Sequence, residues 1–139
     1  MTGSLTGAVA GQVKFSRKLR VLVVDDELEI RELICGELED ISPGLDVVSC
    51  NDGEAAWASI QAQSVDLLIS DIKMPRMSGL ELLEKVQGMS AFLKPKQIMM
   101  VSGYVPEGTI FAESGVMLVN KPVDFEQFRV DLTSILSSL

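Results

Sequence analysis

A chain of 139 residues, 47% hydrophobic and 23% charged, has the length and composition of one globular domain able to bury a core without disulfides or structural metals. Its 20 acids against 12 bases leave a formal charge of -8, which works against nucleic acid or an anionic membrane surface as partner and favours a protein. The absence of histidine excludes histidine-based triads, imidazole metal sites and phosphohistidine chemistry carried by this chain itself.

Residues 1–18, rich in Gly, Ser and Thr with little periodicity, read as a flexible leader or cloning remnant ahead of a domain at 19–139. Ala8 to Ala10 is too short for a secretory signal, and its basic residues follow it. No apolar stretch approaches the length that spans a bilayer. Together these lead us to expect a cytoplasmic protein. Cys35 and Cys50 lack the close spacing of a zinc or redox motif and are expected to be buried reduced thiols.

Arg20 to Val24 is a continuous apolar run suited to a strand buried on both faces, and it stops at Asp25 and Asp26. Ile30, Leu33, Ile34 and Leu38 then recur at helical spacing, and Ser42, Pro43 and Gly44 end that helix. Leu45 to Cys50 predicts a second strand. Asn51, Asp52 and Gly53 turn into a helix carrying Ala55, Ala56, Trp57 and Ile60. Val65 to Ser70 predicts a third strand, which delivers Asp71 and breaks at Met74 and Pro75. A helix from about Gly79 carries Leu80, Leu82, Leu83 and Val86 and stops at Gly88.

Gln97 to Val101 predicts a fourth strand leading to Ser102, Gly103 and Tyr104. A short fourth helix is expected over Pro106 to Glu113, poorly supported by Gly108, Thr109 and Ile110. Val116 to Val119 predicts a fifth strand. After Lys121 and Pro122, Asp124 caps a last helix with Phe125, Phe128, Leu132, Ile135 and Leu136 on its apolar side. Five strands alternating with five helices predict a parallel sheet covered on both faces, a three-layer α/β sandwich.

In such sheets ligands sit beyond the carboxyl ends of the strands. Asp25 and Asp26, Asp71, Ser102 and Lys121 each follow a different predicted strand and so meet at one edge. Singly, these residues are what helix caps, turns and solvated lysines look like. Jointly they suit phosphoryl transfer to a carboxylate. Such a reaction needs a nucleophile, in-line positioning and positive charge near the equatorial oxygens. Three carboxylates at one edge repel each other, and a hard cation with oxygen preference relieves that repulsion.

The stretches Val23-Val24-Asp25-Asp26, Asp71-Ile72-Lys73-Met74-Pro75 with Gly79, Ser102-Gly103 and Lys121-Pro122, in this order, resemble the receiver domain of two-component response regulators. The likeness covers about residues 19 to 138. It implies a flavodoxin-like strand order, 2-1-3-4-5. It implies Asp71 as phosphoacceptor, Mg²⁺ as cofactor held by Asp26, by Asp25 through water, by Asp71 and by the main-chain carbonyl of Lys73, and Ser102 and Lys121 as contacts of the phosphoryl group. The implied donor is a phosphohistidine on a histidine kinase or histidine phosphotransfer protein. The implied output is a downstream protein bound at the face of helix four, strand five and helix five. The domain would assist its own phosphorylation and dephosphorylation without being an enzyme.

Two departures stand beside the resemblance. Leu118 occupies a position that usually carries Tyr or Phe in the family, and the interval from Ser102 to Lys121 is short. A pseudo-receiver that binds a partner without phosphorylation is therefore the alternative. A phosphatase of the haloacid dehalogenase type fits less well, because Asp25-Asp26-Glu27 lacks its DxD spacing. Lys73 and Tyr104, two residues beyond Asp71 and Ser102, are expected to influence dephosphorylation. The side chains of Lys73, Arg76 and Lys85 are expected to be ordinary surface charges.

Overall fold

In the computed structural model, residues 5–9, 12–15, 18–103 and 115–139 are described. Two short strands, β1 (Leu5–Val9) and β2 (Gln12–Phe15), pair antiparallel in a small sheet of their own, within the stretch read as a leader. The remaining elements follow in the order β3 (Arg20–Val24), α1 (Leu28–Ile41), β4 (Asp46–Cys50), α2 (Gly53–Ala62), β5 (Leu67–Ser70), α3 (Gly79–Gln87), β6 (Gln97–Ser102), β7 (Val116–Asn120) and α4 (Phe125–Ser137).

The five-stranded sheet has the spatial order β4-β3-β5-β6-β7, every pair parallel. Counted within that sheet this is 2-1-3-4-5, the flavodoxin-like order. Four helices appear among the described residues. The fifth expected one, Pro106 to Glu113, and Tyr104 lie outside them.

The apolar runs are continuous because the three central strands bury both of their faces, so successive residues serve opposite layers. Val21, Val23, Leu67, Ile69, Met99 and Val101 face one cluster, which α1 and α4 close with Ile34, Leu38, Phe128 and Leu132. Leu22, Val24, Leu68, Ile98 and Met100 face the other, closed by Ala56 and Ile60 of α2 and Leu82, Leu83 and Val86 of α3. Among the described residues Phe128 is the largest fully buried side chain, and Phe125 packs edge-on against it with ring centroids 5.9 Å apart.

Leu33, counted in the expected stripe of α1, is instead 51% exposed. The inward stripe runs through Ile34, Leu38 and Ile41, and Leu33 is about 100° around the helix from Ile34, at the rim of that arc. Both cysteines are half-buried and unpaired, and burial pushes both thiols up from their ordinary values. Among the described residues no helix is long and apolar enough to cross a membrane.

Three of the four described helices, α2, α3 and α4, begin at a side-chain cap. Asp52 Oδ1 accepts the Ala55 amide at the head of α2, and Asp124 Oδ1 accepts the Glu126 and Gln127 amides at the head of α4. Ser78 and Glu81 exchange reciprocal bonds at the head of α3.

Candidate phosphoacceptor site

Strand order reverses direction between β3 and β5, because the chain leaves β3 for β4 on one side and returns to β5 on the other. Val24 and Ser70 are paired in register at that point. The next residue of each strand is therefore an acid at the same edge, Asp25 beside Asp71. Their backbones are tied down: the Asp71 amide donates to the Val24 carbonyl at 2.9 Å and the Asp25 amide to the Cys50 carbonyl at 3.2 Å. At the other side of the site, Ser102 ends β6, and the Lys121 amide donates to its carbonyl at 3.1 Å. The Lys121–Pro122 peptide is cis.

Lys121 is the centre of the charge network. Its Nζ donates to Asp25 Oδ2 at 3.1 Å, Glu27 Oε1 at 3.0 Å and Asp71 Oδ2 at 3.1 Å. Asp71 Oδ1 accepts the Ile72 amide at 2.7 Å, and Asp25 Oδ1 accepts the Glu27 amide at 2.8 Å. Each buried acid thus has one oxygen on a backbone amide and the other on the lysine. Arg31 adds a bond from its guanidinium to the Asp25 carbonyl, 2.7 Å.

The Asp25 side chain is 1% exposed. Burial pushes its carboxyl up from the ordinary value, and the charge of Asp71 adds to that, against the Glu27 amide and Lys121, which pull it down. Burial alone would lower the Lys121 ammonium, but its bonds to Glu27, Asp25 and Asp71 outweigh it and hold the group above its ordinary value. The lysine is therefore positively charged at neutral pH.

Asp26 is exposed at the same edge. Asp26, Glu27, Asp71, Lys73, Ser102, Gly103 and Lys121 line one open recess. Carboxylate oxygens of Asp25, Asp26, Glu27 and Asp71 all lie within 4.8 Å of one another. A charged, all-oxygen donor set of this kind fits a hard divalent cation such as Mg²⁺. The structure thus brings together every residue that the sequence singled out as site-forming.

One participant was missed. Glu27 entered the sequence reading only as part of a failed DxD spacing, yet it shares the ammonium of Lys121. Arg76, expected to be an ordinary surface charge, is instead bonded to Asp52. Lys85 likewise sits over the Trp57 ring, 5.6 Å from its centroid. Leu118 is half-buried against the cluster beneath α2 and α3.

Residues 21–132 match the response regulator receiver domain. The chain belongs to that family. The receiver is similar to chemotaxis response regulator CheY4 of Vibrio cholerae, with a TM-score of 0.72, 30% identity, and coverage of 86% of this chain and 99% of that one. It is also similar to the receiver domain of the hybrid histidine kinase CckA, with a TM-score of 0.67, 31% identity, and coverage of 84% and 98%.

Among curated proteins, a protein-glutamate methylesterase/protein-glutamine glutaminase of Burkholderia thailandensis is 33% identical over 132 residues, 85% of this chain but 35% of the relative. The receiver thus spans between a quarter and about a third of the length of the first such relatives. Receiver domains are signalling modules, and this chain has their fold.

Proposed function

We propose that residues 19–139 form a phosphoacceptor module of a two-component phosphorelay. In it, Asp71 accepts a phosphoryl group from a phosphohistidine on a histidine kinase or phosphotransfer protein. The observation that carries this is the shared ammonium of Lys121, within 3.1 Å of both buried acids from different strand ends. A bound Mg²⁺, held by Asp25, Asp26, Asp71 and the carbonyl of Lys73, would supply positive charge to the transferring phosphoryl oxygens.

The chain's own residues do the rest. The Ile72 amide orients the Asp71 carboxylate, and one carboxylate oxygen attacks phosphorus as the P–N bond to the donor imidazole breaks. The bond electrons leave with that nitrogen. The product is an acyl phosphate, whose new charge competes with Asp25 and Glu27 for the lysine. Ser102, at the end of β6, would bond the phosphoryl oxygens. A shift of Ser102 toward them would alter the face made by β7 and α4, where a downstream protein would read the change.

On this reading the module is cytoplasmic, does not itself turn over an external substrate, and works either alone or as the regulatory part of a larger protein. Incubation with acetyl phosphate and Mg²⁺ should add one phosphoryl mass to the wild type and none to Asp71→Ala. A wild type left unmodified by both acetyl phosphate and a phosphorylated histidine donor overturns the reading. Leu118 in place of an aromatic keeps the scaffold reading in play. Equal partner binding by wild type and Asp71→Ala, with and without phosphodonor, would establish it.

A further inference from the structure

Arg76 is the non-glycine residue with a left-handed backbone among those described, at φ 65°. Contact with its own β-carbon disfavours that conformation, which persists where surrounding contacts over-determine it. Here the contacts come from a partner 24 residues away. Arg76 donates from Nε at 2.9 Å to Asp52 Oδ2 and holds Nη2 2.7 Å from the same oxygen as an ion pair. The other oxygen of Asp52 caps α2. Beside the pair, Gly53 is pressed against the loop: a β-carbon added there would lie 2.3 Å from the Met77 carbonyl oxygen.

The loop from β5 to α3 is therefore held at three points. Ile72 and Met74 are buried in the cluster beneath α2 and α3, and Arg76 is bonded to the head of α2. Lys73 is exposed between the first two and lines the recess with Asp71. Global stability does not explain the arrangement. The Arg76 side chain is 56% exposed, pairs of that exposure contribute little, and a left-handed arginine works against the fold. Capping does not explain it either, since the Ala55 amide needs only one carboxylate oxygen.

We propose that the Arg76–Asp52 pair is a clamp that holds the loop carrying Asp71 and Lys73 in place for the cation, which makes Arg76 a positioning residue for Mg²⁺ binding. The inference rests on the phosphoacceptor reading above, which requires that cation. Arg76 touches neither the acids nor the recess and acts only through the loop.

The test is an NMR titration with Mg²⁺ of the wild type, Arg76→Ala, Arg76→Gly, Arg76→Lys and Asp52→Asn, with amide hydrogen exchange measured at Met77 and Gly79. Asp52→Asn keeps the cap and removes the charge, whereas Arg76→Gly removes the guanidinium and relieves the backbone. Loss of a group that orients a ligand from behind weakens metal binding about tenfold or more. That loss is expected in Arg76→Ala, Arg76→Gly and Asp52→Asn, together with faster exchange at Met77 and Gly79. Arg76→Lys should recover part of it. Wild-type affinity and exchange in both Arg76→Ala and Arg76→Gly overturn the clamp. So does a loss in Arg76→Ala that Arg76→Gly restores, because backbone strain would then be the cause. A wild type that binds no Mg²⁺ overturns the functional reading and the clamp's role with it, a result distinct from a wild type and variants that all bind equally.

Discussion

Gly79 and Asp71 meet backbone to backbone. A β-carbon added at Gly79 would lie 1.9 Å from the Asp71 carbonyl oxygen, while the Gly79 amide donates to the Ile72 carbonyl at 2.7 Å. The first residue of α3 is thus packed directly against the main chain of the acid at the end of β5. Gly79→Ala cannot be absorbed by a side-chain rotation, since what it strikes is backbone. The cost is expected to be about 1–3 kcal/mol, as for other over-packed sites, with a loss of phosphoryl incorporation at Asp71 as the loop is displaced. Gly88→Ala is the control: its φ is -79° and the nearest atom to an added β-carbon is 3.5 Å away, so stability should hold or rise slightly. Urea unfolding of the two variants, with acetyl phosphate labelling read by intact mass, checks both parts.

Lys121 bonds three carboxylates that differ in burial, and this difference sets what each bond is worth. Lys121→Met keeps the apolar stem but leaves Asp25 and Asp71 facing each other without a cation. Breaking a buried pair from one side costs about 3–5 kcal/mol at most, less whatever a rise in carboxyl protonation recovers. Glu27→Gln, on a side chain 61% exposed, should cost under about 1 kcal/mol. On the proposed reading Mg²⁺ binds the folded site, and with the competing ammonium removed it should raise the melting temperature of Lys121→Met by more than that of the wild type. Thermal unfolding in chelator and in Mg²⁺ measures the difference, and an equal rise in both proteins would refute the argument.

The head of α3 is held by a capping box, in which Ser78 Oγ accepts the Glu81 amide at 3.1 Å and Glu81 Oε1 accepts the Ser78 amide at 3.3 Å. The helix is only nine residues long, so its first turn is a large part of it. Ser78→Ala is expected to cost about 1 kcal/mol, and Ser78→Asp, which still accepts the Glu81 amide, only a few tenths. Urea midpoints of the two variants against the wild type decide this. Equal losses would mean that the cap is not what the serine contributes.

What the sequence disclosed and what it hid follow from how far each interaction reaches. The strands were legible because β3, β5 and β6 bury both faces, which writes each as an unbroken apolar run. The acids were legible because the β3 and β5 runs each stop at one. Leu33 was misjudged because hydrophobicity marks an arc of a helix and not its centre, and Ile34, Leu38 and Ile41 define that centre. Glu27 was overlooked because its value lies in a contact with Lys121, 94 positions away. The Arg76–Asp52 pair was invisible for the same reason. An arginine in a loop looks solvated until the fold brings α2 against it, although Asp52 ahead of a helix and an arginine just after Pro75 were both in plain sight.

That pair carries its own pH signature. The Ala55 amide and the Arg76 guanidinium hold the Asp52 carboxyl below the ordinary aspartate value. The folded chain therefore binds this proton less tightly than the unfolded chain, and the unfolding free energy rises with pH across the interval between the two values. The stabilisation is complete above the unfolded value and is lost as pH falls through the lowered folded one. Asp52→Asn keeps the bond to the Ala55 amide, because asparagine also caps well, but removes the charge. Its deficit against the wild type should be constant from neutral pH down to the ordinary carboxylate range, shrink through the interval below and vanish at the acid end. Salt should reduce it, since the Arg76 side of the pair is open to solvent. Urea unfolding of both proteins over a pH series, at low and high salt, gives the curve directly. A deficit unchanged across that series would assign it to packing at Asp52 and not to its ion pair with Arg76.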